Sequence, residues 1–271
     1  MSYSFNAEEI TEKGYLFIDG GCLRSMLRDV SDRYFHGNPI EFDYSKFAKH
    51  FSKVFYYDAL PGQKEEPKDE YERKIQPDKD FFDMLGAIDK YHVYLGSMHR
   101  RKKRNEQKQV DIMIAVDMLT HAFRKNTSEV TLFTTDSDFI PLIDKMVDNG
   151  MHINLWYPDT KNCSANKELI ASADRKKRIS FEDVYANCTE AFKQKFKLPQ
   201  DGLVLNDNCE NEIHQWRDLK RGTIKLGRNA DKYILRFKSG ENHAGVEYPD
   251  LEVLRAFAED KFGLIIPEMT T

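Results

Sequence analysis

No stretch of this chain approaches the roughly 20 consecutive apolar residues that a membrane-spanning helix needs. The opening segment, MSYSFNAEEITEKG, lacks the basic-then-apolar layout of a secretory leader. Cysteine is sparse: Cys22, Cys163, Cys188 and Cys209 are scattered, with no C-x-x-C pair and no histidine at a ligand spacing. That excludes a sequence-evident zinc site or disulfide framework and fits free thiols in a reducing compartment. Charge of one sign is lacking too, because 41 Lys+Arg stand against 45 Asp+Glu for a net charge of −4. Affinity for a polyanion must therefore come from local patches. No internal repeat, low-complexity tract or Gly-x-x-x-x-Gly-Lys-[Ser/Thr] phosphate loop is present. These absences leave a cytoplasmic enzyme or binding protein without a membrane partner.

The 271 residues, 40% hydrophobic and 32% charged, suit one large folded domain with a small appendage. Short apolar runs at residues 15–18, 53–57, 92–95, 130–133 and 152–156 have the length of buried parallel strands. Between them, residues 80–90, 110–123 and 139–148 carry helical patterning. This alternation predicts an α/β fold with a mostly parallel central sheet flanked by helices. Residues 61–77, charged and holding three prolines, read as an exposed loop or lid. Residues 191–200 read as a boundary. Beyond it, three short strand patterns within 223–248 and a helix over 251–262 indicate a small α+β module. The division expected is 1–195 for the main domain and 200–271 for the module.

In open parallel sheets the binding crevice lies beyond the carboxyl ends of the strands. Asp19 follows the first strand in Phe-Ile-Asp-Gly-Gly, and Asp136 and Asp138 follow the fourth in Thr-Thr-Asp-Ser-Asp. Asp111 opens the helix that starts at Val110, and Asp117 lies six residues further along. Crowded carboxylates repel one another unless a divalent cation neutralises them. Hard oxygen donors suit Mg²⁺ or Mn²⁺, which activate water for attack on a phosphodiester. Each aspartate also has a structural reading. Asp-Gly-Gly makes turns, Asp138 or Ser137 fits an N-cap ahead of Pro141, Asp111 favours a helix N-terminus, and Asp117 suits a polar helix face.

The succession at 17–21, Lys-Gln-Val-Asp-Ile-Met-Ile-Ala-Val-Asp at 108–117 and Thr-Thr-Asp-Ser-Asp-Phe-Ile-Pro-Leu at 134–142 resembles the NYN domain, in the LabA-like branch of the PIN-like nuclease superfamily. The resemblance spans about residues 12–185. It implies a Rossmann-like PIN fold and a metal-dependent ribonuclease that cuts internally. It also implies Mg²⁺ or Mn²⁺ held by Asp19, Asp111, Asp136 and Asp138, with Asp117 and Ser137 in support. The family pattern carries Asn three residues after the first Asp, where this chain has Cys22, and Gly where it has Gln109.

The densest cationic run, Arg100, Arg101, Lys102, Lys103, Arg104 and Lys108, precedes the Asp111 motif and reads as a phosphate-contacting RNA-binding loop. Arg175–Arg178 extends that track, and the C-terminal module is the expected contact for a regulatory partner or second copy. Two other classes stand beside the ribonuclease. One is a catalytically weak RNA-binding regulator that keeps the fold. The other is a small-substrate phosphoryl-transfer enzyme, for which no Asp-x-Asp-x-Thr follows the first strand.

Overall fold

The computed structural model describes residues 14–63, 65–96, 107–204, 209 and 211–268. The chain divides into two compact units: Met1–Asp29 with Glu41–Thr189, and Val30–Ile40 with Glu190–Thr271.

Six parallel strands build the first unit: β1 (Tyr15–Asp19), β2 (Lys53–Ala59), β3 (Tyr91–Gly96), β4 (Glu129–Phe133), β5 (His152–Thr160) and, after the short antiparallel β6 (Cys163–Ser164), β7 (Arg175–Ile179). Their order is β3-β2-β1-β4-β5, with β6 and β7 both paired to β5. The chain leaves β1 toward β2 and β3 and later returns to its other side with β4. The order therefore reverses between β1 and β4, and such a switch point opens a crevice at the strands' carboxyl ends.

Side chains alternate across the sheet. On one face Phe17, Val130, Leu132, Ile153 and Leu155 pack against Val110, Ile114 and Met118 of α4 (Gln107–Phe123) and Leu142, Ile143 and Met146 of α5 (Ile140–Asp148). On the other, α2 (Tyr44–Phe47) sets Phe47 against Phe133 and Trp156, and α3 (Lys68–Gly86) sets Phe81 and Phe82 against Tyr56. The helix α1 (Gly20–Tyr34) follows β1 with no intervening residue, and α6 (Lys167–Ser172) and α7 (Phe181–Ala186) complete the unit.

Two features depart from the sequence reading. The prolines at 61–77 do not keep that stretch a loop, because α3 begins at Lys68 and carries Pro77 inside it. Pro67 occupies the N-cap position, buried Ile75, Phe82 and Leu85 anchor one side, and Glu72–Lys79 and Gln76–Asp80 contacts decorate the other. Apolar anchoring outweighs one missing N–H. Residues 175–178, read as a charge run, form an edge strand whose first four residues are exposed.

The second unit is an antiparallel sheet ordered β8-β12-β11-β10-β9, with β8 (Gln200–Val204), β9 (Glu212–Asp218), β10 (Gly222–Asn229), β11 (Lys232–Ser239) and β12 (Asn242–Tyr248). It follows α8 (Glu190–Lys195) and precedes α9 (Leu251–Phe262). Asp250 caps α9 through the Val253 N–H, and Gly263, at φ +66°, ends it in the left-handed conformation. Among the described residues, no helix is long and apolar enough to cross a membrane.

Candidate active site

Asp19 is the last residue of β1 and Asp136 stands three residues beyond β4, so both flank the switch point. Asp19 accepts from the Cys22 N–H at Oδ1 (3.1 Å) and from the Thr134 hydroxyl at Oδ2 (3.1 Å). The first bond is helix capping carried out by a strand residue, and it aims the carboxylate along the start of α1. The buried Thr134 hydroxyl also accepts the Asp136 N–H (3.1 Å), so one side chain holds both acidic residues. Asp136 in turn caps the 3₁₀ turn Ser137–Phe139 that leads into α5, taking the Asp138 N–H at 2.8 Å. The cap expected at Ser137 or Asp138 thus falls on Asp136. Asp138 itself is exposed.

Burial pushes the Asp19 carboxyl above the usual carboxylate range, the Cys22 and Thr134 hydrogen bonds oppose this, and the charges of Asp58 and Asp136 push it further up. Sequence reasoning missed Asp58, which follows the apolar part of β2 as Asp19 follows that of β1. Asp58 is 5% exposed and is held by Arg24 Nη2 (2.6 Å), the Ala59 N–H (2.7 Å) and the Tyr56 hydroxyl (3.0 Å). Burial raises its pKa while the Arg24 guanidinium pulls it down. Gly20 makes the close approach of the start of α1 to these β2 side chains feasible. A Cβ there would lie 2.6 Å from Asp58 Oδ2 and from the Tyr56 ring.

The remaining expected residues fall as follows. Asp111 sits half-buried in the second turn of α4, whose helix starts at Gln107 rather than at Val110. Its neighbour Val110 stands beside Gly96 at the end of β3, the same carboxyl edge of the sheet. Asp117 accepts the Tyr57 hydroxyl (2.8 Å), a contact that links α4 to β2. Arg100, Arg101, Lys102, Lys103 and Arg104 lie outside the described residues, and Lys108 belongs to the first turn of α4. Cys22, where the family pattern has an amide, turns its thiol toward Thr135 (3.7 Å) and Cys163 (4.0 Å). The Cys163 contact and burial push that thiol up.

Among the described residues no three His, Cys, Asp or Glu side chains are grouped as a ready metal site. The donor chemistry of Asp19 and Asp136 nevertheless fits a hard divalent cation. Both are carboxylates, and each Asp19 oxygen keeps a lone pair beyond its single hydrogen bond.

The sequence model of the NYN domain family matches residues 15–180. No curated protein matches the chain. Among solved structures, a protein of unknown function, VPA0982 from Vibrio parahaemolyticus RIMD 2210633, is similar. It is 17% identical, the match covers 66% of this chain and 96% of that one, and the TM-score is 0.41.

Proposed function

This chain belongs to the NYN domain family of the PIN-like nuclease superfamily, and from that premise we propose that it is a metal-dependent ribonuclease hydrolysing internal phosphodiester bonds. The observation that carries the reading is the meeting of Asp19 and Asp136 at the β1/β4 switch point, where burial and mutual repulsion make Asp19 reluctant to ionise alone. A divalent cation relieves that repulsion. Asp19 and Asp136 would hold Mg²⁺ or Mn²⁺, with Asp111 and Asp138 joining from neighbouring turns. The bound ion would supply an activated water and charge stabilisation at the leaving oxygen.

The chain's own groups do the positioning. Thr134 fixes the Asp19 carboxylate against the Asp136 backbone. Arg24 neutralises Asp58, so a third carboxylate can stay beside Asp19 without adding its full charge. Ser137 is carried on the turn that Asp136 caps. The cationic run at 100–104, with Lys108, supplies phosphate contacts that raise affinity for a polyanionic strand.

A second reading, an RNA-binding regulator with weak catalysis, is favoured by Cys22. A thiol packed on Cys163 replaces an amide that would orient a ligand or contact phosphate. The test incubates a mixed RNA pool with Mn²⁺ or Mg²⁺, and in parallel with EDTA. Cutting that needs the metal supports the nuclease. Salt-sensitive RNA binding without cutting under either condition supports the regulator.

A further inference from the structure

On the sheet face opposite α4, the rows Thr131–Asn154–Arg175 and Phe133–Trp156–Lys177 run in register across β4, β5 and β7. α2 covers only part of this face. Beside it lies a groove of about 550 Å³ lined by His50, Phe51, Glu129, Asn154, Trp156 and Lys177, among others. That volume falls within the roughly 300–1,000 Å³ of small-ligand sites.

We propose that this groove is a second RNA subsite, in which an unpaired base stacks on Trp156 while Arg175 and Lys177, the β7 side chains on this face, take the adjoining phosphates. It rests on RNA being the substrate, and it extends the strand's path beyond the aspartates. Four observations carry it.

The Lys177 ammonium covers one face of the Trp156 ring at 4.3 Å from its centre, the face a base takes when the flexible lysine turns out to a phosphate. Phe47 and Phe51 pack edge-on against Trp156 and hold the ring in place. Arg175, Lys176 and Lys177 are exposed, which suits an anionic backbone. Glu129, the carboxylate in the lining, is engaged by Asn154 Nδ2 (2.7 Å) and Arg175 Nη1 (3.5 Å), which offsets its charge toward a phosphate.

Asn154 uses its amide on Glu129 and Thr131, and its Oδ1 is buried with no donor among the described residues. That oxygen is closed off from the groove and takes no part in the contact. The groove's lining runs from Trp156 toward the amino ends of β4 and β5, while the Trp156 carbonyl accepts the N–H of Thr134, the residue whose hydroxyl holds Asp19. Lysines on an edge strand commonly serve to prevent sheet-to-sheet pairing. That role accounts for the charge but not for the aromatic floor.

The test uses the full chain with Trp216→Phe, which leaves Trp156 as the remaining tryptophan. Its fluorescence is followed during titration with a single-stranded oligouridylate in EDTA, where no metal-dependent cutting occurs. The expected result is saturable quenching. Arg175→Glu with Lys177→Glu should weaken it at least tenfold and lower the salt slope by about 1.4, at about 0.7 per phosphate contact on a single strand. Circular dichroism verifies that the charge-reversed protein is folded. Absence of quenching, or quenching that the charge reversal leaves unmoved, overturns the subsite. Metal-dependent cutting, measured separately, reports on the nuclease reading, so either can fail while the other stands.

Discussion

Thr134 donates its hydroxyl to Asp19 Oδ2 at 3.1 Å and accepts the backbone N–H of Asp136 at the same distance. A fully buried side chain thereby sets the geometry of two acidic residues, one ending β1 and the other three residues beyond β4. Groups that orient metal ligands in this way typically contribute 10–100-fold to affinity or activity. Thr134→Val, close to isosteric, is expected to lower cleavage by that factor while leaving a folded protein about 1–2 kcal/mol less stable. Thr134→Ser should restore most of the rate. Single-turnover kinetics on a labelled RNA, with thermal melting alongside, checks both.

The raised pKa of Asp19 gives a pH signature. Because its folded-state value lies above the unfolded one, its contribution to stability is present at low pH and is lost as pH rises through the folded value. The metal-free protein should therefore be relatively destabilised by Asp19 near neutrality. Mn²⁺ should raise the melting temperature more at pH 7.5 than at pH 5, since the ion must displace the proton. Asp19→Asn should abolish the Mn²⁺ increment and should not lower the metal-free melting temperature at pH 7.5. An unchanged increment in that variant would contradict the assignment.

Arg24 and Asp58 make an independent prediction. Removing Arg24, itself one-third exposed, leaves the buried Asp58 carboxylate without its cation, and Arg24→Ala is expected to destabilise by roughly 1–3 kcal/mol at neutral pH. Burial already raises the Asp58 carboxyl, and loss of the guanidinium raises it further. The penalty should therefore shrink as pH falls and Asp58 protonates. A penalty independent of pH, read from urea unfolding at pH 7.5 and pH 5, would show that Arg24 acts by packing alone.

Gly20→Ala should destabilise by roughly 1–3 kcal/mol, because its Cβ would overlap Asp58 Oδ2 and the Tyr56 ring in a packed core. Thermal unfolding measures this directly.

The sheet was largely legible because its strands are short apolar runs, and the Asp19 and Asp136 positions followed from where those runs stop. Asp58 obeys the same rule, but Tyr-Tyr-Asp runs on into Ala-Leu-Pro-Gly, without the paired glycines that marked Asp19. α1 was hidden because Gly20 and Gly21, poor helix formers, open it. Close approach to Asp58 requires the first of them. β7 offers no apolar alternation, since its register with β5 is held by the backbone while four charged side chains face water. The second half of α3 falls in the helix expected over 80–90, but its first half reads as a loop because propensity penalises Pro77, whereas burial of Ile75, Phe82 and Leu85 decides the outcome.

The most direct test of the central claim is the single-turnover rate of cutting a labelled RNA strand in Mn²⁺, for the wild type and for Asp136→Asn. Loss of a metal-binding carboxylate should reduce the rate by at least about 10³-fold, on the scale of about 4 kcal/mol of transition-state stabilisation, in a protein that remains folded. Comparable rates in the two proteins, or wild-type cutting that persists in EDTA, would contradict the account.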